Sequence, residues 1–305
     1  MATKNSYLEL DDDFHETLKR SLQVPYNEMI LIDDGQDKTK DIVRCFALEH
    51  SKKLIINKSN LYGYYGSTRA TARQTAIDIF LENFSDDWLL FIDDDAWLQF
   101  GWWNEAVAYT FEPKAGLIWG IDWPELSDRK CLSKAQEIKY REYAIENFLK
   151  RGGTHDTLLR REAIEDISIP PFLHIYEDTY ILKYVLERSF DAHILESGII
   201  HMNNHPITWR SIKDSAKFAR TIRKKRNPLA DGIERKPLFN AICRLARVIP
   251  NLPFSLYSGI KVHGVQSGLK NGWVGWKYEF LNRLFQVGYI IEDKNLDNIC
   301  RRTTQ

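Results

Sequence analysis

Three consecutive carboxylates, Asp93, Asp94 and Asp95, stand directly behind the apolar run Trp88 to Ile92. Acids this close repel one another and raise each other's pKa values unless a cation sits among them. A hard divalent ion, Mg or Mn, is the natural partner for such oxygen ligands. Mg usually takes one or two protein carboxylates and completes its shell with water and phosphate oxygens, so a diphosphate ligand is expected beside them. A second acidic pair, Asp33 and Asp34, follows the apolar stretch Met29 to Ile32. Arg69 and Arg73 lie one turn apart near a helix start, where cations oppose the helix dipole and are better explained by an anion in front of them. Glu177 and Asp178 also open a helix, a place where an acidic pair commonly caps. His201 follows an apolar strand, where a lone histidine is more often a satisfied structural residue than a ligand. At Gly152 and Gly153 the backbone can approach another group closely, although a helix C-cap accounts for one of them. The tripeptide recurs at Asp11 to Asp13, but no strand precedes it there. With Phe14, Leu18 and Leu22 at helical spacing and Glu16 three residues on, that copy reads as a helix cap.

These groups need a scaffold that brings them together. Trp88 to Asp95 reads as a buried strand of a parallel sheet ending in its acids. In open α/β sheets ligands bind beyond the carboxyl ends of the strands, which places Asp93 to Asp95 and Asp33 to Asp34 in one crevice. Strands are expected at Met29 to Ile32, Leu54 to Ile56, Ala115 to Ile121 and Ala192 to Ile200. Helices are expected after Asp37, after the Gly and Tyr loop Leu61 to Ser67, at Trp102 to Thr110, Ser133 to Lys150 and Thr179 to Arg188. Thr154 to Arg161 reads as a short extended piece. The alternation predicts an α/β fold with a mostly parallel sheet and helices on both faces.

The chain has 305 residues, enough for a large core or a domain with an appendage. Lys plus Arg equals Asp plus Glu at 42 each, so net charge excludes nothing. Its distribution is more informative. Trp209 to Val248 holds twelve basic residues against three acidic ones, a balance of +9, including Arg210, Lys213, Lys217, Arg220, Arg223, Lys224, Lys225 and Arg226. Beyond it come Phe254, Tyr257, Trp273, Trp276 and Phe280 amid Arg and Lys. Basic residues with interleaved aromatics suit an anionic membrane surface, and packing of helices on the sheet explains them equally well. No recognised motif accompanies the patch, so no nucleic acid is expected as a partner. The division expected is a catalytic domain over 1–205 and a helical, basic and aromatic C-terminal region over 206–305. The four cysteines, Cys45, Cys131, Cys243 and Cys300, form no CxxC pair, which fits a reducing compartment and speaks against zinc or disulfides. With a polar, acidic start and no apolar run of roughly 20 residues, a cytoplasmic chain is expected, either free or peripheral on the cytoplasmic face of a membrane.

Taken together, the segments resemble the inverting GT-A nucleotide-sugar glycosyltransferases of family 2, in order, over roughly Asn5 to His201. EMILIDDGQDKT is similar to the strand and acidic turn that hold base and ribose, which implies Asp33 and Asp34 for the nucleotide. STRATARQTAI resembles the Arg-bearing helix, with Arg73 at the donor-contacting position and Gln74 where Asn is common. LLFIDDDA looks like the DxD metal motif, with Asp93 and Asp95 as its acids and Asp94 between them against the donor. GGTHDTLLRRE resembles the segment bordering the donor sugar, which brings in Gly153. IYEDTYI looks like the ED motif, whose Asp, here Asp178, is the general base, with Glu177 holding local charge or the acceptor. The resemblance also admits His201 to the metal site. The family opens with a full apolar strand and a PxxN-like turn; here Ala2, Thr3, Lys4 and Asn5 stand at that place, so a truncated first strand is expected.

The resemblance implies a Mn- or Mg-dependent inverting transfer of a sugar from a nucleotide-diphosphate donor to an acceptor hydroxyl, on a glycan or a lipid-linked acceptor. A nucleotidyltransferase acting on sugar phosphates could use a similar acidic site but would want a Gly-rich phosphate loop after the first strand, and the chain has none. A catalytically silent module that recruits a partner to membranes through the basic tail is the other alternative.

Overall fold

The computed structural model describes residues 1–3, 6–10, 12–59, 68–124, 132–171, 173, 176–202, 237–263, 265, 269–270, 272–285 and 287–288. The Leu61 to Ser67 loop and the basic residues Arg210 to Arg226 lie outside them. The chain divides into two compact units, Met1–Arg129 with Arg141–Asn203, and Lys130–Tyr140 with Asn204–Gln305.

The first unit is an α/β fold built on two sheets. Strands β1 (Ala2–Thr3), β2 (Glu28–Asp33) and β3 (Lys53–Asn57) form a parallel sheet in the order β1-β2-β3. Helices α1 (Ser6–Leu10), α2 (Asp12–Ser21) and α3 (Thr39–Glu49) run between its strands. In α2 the residues Phe14 and Leu18, one turn apart, are buried with Leu31 of β2 and Val43 of α3 in one apolar cluster, the expected outcome of their helical spacing. Asp12 and Asp13 lie in the first turn of that helix, where their charge favours the dipole. Asp37 stands just before α3, its carboxylate accepting from the Thr39 N–H at 3.1 Å.

Helix α4 (Arg69–Asn83) leads to the second sheet, five strands in the order β4-β7-β6-β8-β5. They are β4 (Trp88–Leu90), β5 (Ala96–Leu98), β6 (Ala115–Trp123), β7 (Leu158–Arg160) and β8 (Asp191–His201). Helices α5 (Trp102–Thr110), α6 (Lys134–Arg151), α7 (Arg161–Ile164) and α8 (Glu177–Glu187) connect them. β6 pairs parallel with β8, whereas β4 and β6 both pair antiparallel with β7, and β5 pairs antiparallel with β8. This corrects one detail of the sequence reading. The Trp88 run is a three-residue strand whose partner is antiparallel, and the chain leaves the ladder before the acids. An apolar run records burial but not the direction of the neighbouring strand. The core of this sheet gathers Trp102, Ala106, Ile118, Leu158, Leu195 and Ile199, all at 3% exposure or less; truncating one such leucine costs about 2–5 kcal/mol.

β1 covers only two residues, against Ile32 and Asp33 of β2. Beside it a cavity of about 360 Å³ lies between Glu28 to Ile30 of β2 and Trp88 to Leu90 of β4, with Leu18, Ala76 and Phe80 around it. In the second unit, α9 (Pro237–Val248), a 3-10 turn at Ile249–Asn251 and α10 (Leu252–His263) follow one another, and residues 272–285 are helical. The Trp276 indole donates to the Val248 carbonyl at 2.7 Å. Among the described residues no helix is long and apolar enough to cross a membrane.

Candidate active site

Asp93 to Asp95 occupy the tight connection between β4 and β5, and three neighbouring elements decide where each carboxylate points. The Asp93 N–H donates to the His155 carbonyl at 2.9 Å, which fixes the connection beside the loop before β7. Asp93 Oδ1 accepts from Arg73 Nη2 at 3.1 Å. Burial alone would push this carboxyl up, but the Arg73 and Arg69 guanidinium groups and the imidazoles of His201 and His155 hold it at about 2. Asp94 turns the other way and accepts from the Ser6 hydroxyl. Burial, reinforced by the charges of Asp93 and Asp95, raises it to about 6. Asp95 is 5% exposed, and its Oδ1 lies 3.4 Å from His201 Nε2. The pairing of Ala96 with His201 between β5 and β8 enforces that proximity.

One ligand atom from each of Asp93, Asp95 and His201 falls within 4.8 Å of the others. Two hard oxygen donors and an imidazole in one cluster fit a divalent ion such as Mn or Mg. His201 also faces Asp122, whose Oδ2 is 3.1 Å from Nδ1. Desolvation would lower this histidine, but hydrogen bonds to Asp122 and Asp95 raise it well above its ordinary value. Asp122 and His155, absent from the sequence-derived set, form a second group with His201. His155 Nδ1 lies 2.8 Å from Asp156, and its Nε2 accepts from the Trp119 indole at 3.2 Å. Asp156 is fully buried and also accepts from Trp102 Nε1 and the Gly120 N–H.

Arg73 lies on the buried side of α4 at 4% exposure, and the structure gives its guanidinium two anions of the protein's own. It bonds Asp93 and forms an ion pair with Glu177 of α8. An anion is expected in front of it from the sequence, and Asp93 and Glu177 supply such charge from 20 and 104 residues away. The start of α4 is held by Thr68, whose hydroxyl and backbone exchange bonds with Thr71 in a capping box. Gln74 donates to the Ile167 carbonyl at 3.1 Å and to the Asp78 carboxylate at 2.7 Å, and accepts from the Ile169 N–H at 2.7 Å.

Glu177 is 2% exposed and turned to Arg73. Burial raises its carboxyl to about 7 despite Arg73, and the neighbouring Asp178 adds to the rise. Asp178, at the second position of α8, accepts from the Thr179 N–H at 2.7 Å. Desolvation raises its pKa as well, against the pull of Arg73, Arg151 and Arg69. Because the Arg73 guanidinium feels Glu177, Asp93 and Asp178 together, the start of α8 and the β4–β5 connection face the same region.

The two glycines follow α6 and press on this region from another side. Gly152 takes a positive φ of 73°, and a Cβ there would stand 2.4 Å from the Asp178 carbonyl oxygen. At Gly153 a Cβ would meet the Trp119 indole nitrogen at 2.5 Å. Thr179 Oγ1 donates to the Arg151 carbonyl just before them. In the first sheet, Asp33 is 3% exposed and accepts from Thr3 Oγ1 at 3.2 Å and the Gly35 N–H at 2.9 Å, while its Oδ2 has no hydrogen-bond partner among the described residues. Asp34 accepts from the backbone and hydroxyl of Ser59, at 3.0 and 2.5 Å, and so ties the end of β2 to the end of β3.

Residues 1–167 match the model of the family described as Glycosyl transferase family 2. No curated protein matches the chain. Among solved structures it is similar to the mannosyltransferase PcManGT from Pyrobaculum calidifontis, in complex with GDP-Man and Mn2+, at 15% identity over 94% of this chain and 85% of that one, with a TM-score of 0.58. It is also similar to S. aureus TarS 1-349 in complex with UDP-GlcNAc, at 14% identity over 95% and 90% of the two chains, with a TM-score of 0.50. At such identities the likeness is one of fold, and that fold is GT-A.

Proposed function

Because the chain belongs to glycosyl transferase family 2 and is a glycosyltransferase, we propose that it moves a sugar from a nucleotide-diphosphate donor to an acceptor hydroxyl with inversion, using a divalent cation. The observation that carries this reading is the gathering of Asp93, Asp95 and His201 into one ligand cluster that Arg73 links to the start of α8, where Asp178 stands. The GDP-Man, Mn2+ and UDP-GlcNAc present in the two similar structures support a sugar nucleotide and a cation as the ligands.

In this reading the acceptor oxygen attacks the anomeric carbon on the face opposite the diphosphate, and its proton passes to Asp178 Oδ as the bond to the leaving phosphate oxygen breaks. A carboxyl whose pKa burial has raised is better matched to that proton than an exposed one. Asp93, Asp95 and His201 would hold the cation, whose chemistry is to neutralise charge on the departing diphosphate. Arg73 and Glu177 position Asp93 and Asp178 by fixing the β4–β5 connection against α8. Asp33, whose buried Oδ2 has no hydrogen-bond partner among the described residues, and Asp34 lie at the end of β2 for base and ribose. Asp94 and Gly153 border the donor.

The catalytic domain is assigned to 1–205 and the C-terminal region, 206–305, to the acceptor side. Phe254, Tyr257 and Trp273 there are exposed, as an anionic membrane surface displaying a lipid-linked acceptor would require; flotation with anionic liposomes supports this, and recovery in the pellet counts against it. The main reading is tested by incubating the protein with GDP-, UDP- and dTDP-sugars with Mn2+, Mg2+ or chelator. Cation-dependent release of nucleoside diphosphate is the expected result; no release from any donor contradicts it.

A further inference from the structure

Asp122 sits where the regular pairing of β6 with β8 breaks. Gly120 pairs with Leu195 but Asp122 pairs with Ile199, so β8 spends four residues where β6 spends two. Such bulges re-aim side chains beside functional sites. This one is built in: Gly198 passes so close to β6 that a Cβ would collide with the Ile121 backbone, with the nearest atom 1.8 Å away. Glu105 of α5 latches it, accepting from the Glu196 N–H at 2.7 Å, the Ser197 N–H at 2.8 Å and the Ser197 hydroxyl at 2.6 Å. The bulge brings the end of β6 level with the end of β8, and His201 is then held between two carboxylates. Its Nδ1 is 3.1 Å from Asp122 and its Nε2 3.4 Å from Asp95.

We propose that Asp122 is a positioning residue for the cation site, accepting the His201 Nδ1–H and so presenting the Nε2 lone pair toward Asp93 and Asp95. The inference rests on the cation-dependent reading above. A histidine ligand donates its second ring N–H to an outer carboxylate, and that partner fixes both tautomer and ring plane. Asp122 is 79 residues from His201 in sequence and is brought to it only by the bulge. An asparagine there keeps the volume but can either accept from Nδ1 or donate to it, and the second arrangement places the proton on Nε2, where a cation must bind.

The test is Mn2+ binding to the full chain without nucleotide, followed by electron paramagnetic resonance, in wild type, Asp95→Ala, Asp122→Asn and Asp122→Ala. Asp95→Ala is expected to abolish binding, and both Asp122 variants to weaken it about 10- to 100-fold. Nitrogen-15 NMR with Mg2+ bound reads the ring directly: wild-type His201 carries its proton on Nδ1, and Asp122→Asn shows a mixture. Wild type that takes up Mn2+, loses it in Asp95→Ala, and keeps it within twofold in Asp122→Asn overturns the role of Asp122 alone. Wild type that takes up no Mn2+ overturns the cation reading and this inference together.

Discussion

Arg73 of α4 and Glu177 of α8, 104 residues apart, form an ion pair that is 4% and 2% exposed, and the same guanidinium reaches Asp93. Removing one partner of a buried pair strands the other charge. Arg73→Met should therefore cost about 3–5 kcal/mol of stability, measured by urea unfolding. A loss below about 1 kcal/mol would show that water reaches Asp93 and Glu177 and that Arg73 does not bind the two elements together.

Glu177 also gives a pH signature. Its carboxyl is raised from 4.5 to about 7, so the folded state holds the proton more tightly than the unfolded chain. Stability from this group is complete below its unfolded pKa and is lost as pH rises through the folded value. Between pH 4.5 and 7, wild type should lose stability relative to Glu177→Gln, which keeps the neutral form throughout. Urea midpoints of the two proteins across that range check the sign; parallel curves would contradict it.

At Gly152 two costs coincide, a φ of 73° and an approach of 2.4 Å to the Asp178 backbone. Gly152→Ala should destabilise by about 1 kcal/mol or more through the backbone alone. It should also lower turnover by displacing Asp178, while nucleotide affinity by calorimetry changes less. Equal kcat in the variant would separate α6 from the reacting groups.

Much of this arrangement was legible in the sequence because strands announce themselves by apolar runs and the acids by their place behind them. Asp33 and Asp93 to Asp95 are readable on those grounds, whereas Glu177 and Asp178 open a helix and stand out only through the resemblance of IYEDTYI to the ED motif; α5 runs from Trp102 to Thr110 as its pattern predicts. The direction of β4's partner was not, since Trp88 to Ile92 would look the same beside a parallel or an antiparallel neighbour. Nor was the anion facing Arg73, because ion pairs across 20 and 104 residues leave no local trace. Asp122 escaped for a related reason. It looks like any acid ending a strand, and only the bulge at Gly198, whose cause is a backbone contact, turns it toward His201. His155 gave one signal, its place between the glycine pair and Asp156, which by itself cannot be told from a loop residue.

In the proposed chemistry the acids after β4 grip the donor while Asp178 takes the acceptor's proton in the same cleft. The most direct measurement is sugar transfer by Asp178→Asn, with donor affinity determined on the same protein by calorimetry in the presence of Mn2+. Donor binding is expected to stay within about threefold of wild type and turnover to fall by about 10²- to 10⁴-fold, the usual contribution of a general base. Turnover at the wild-type rate would contradict it.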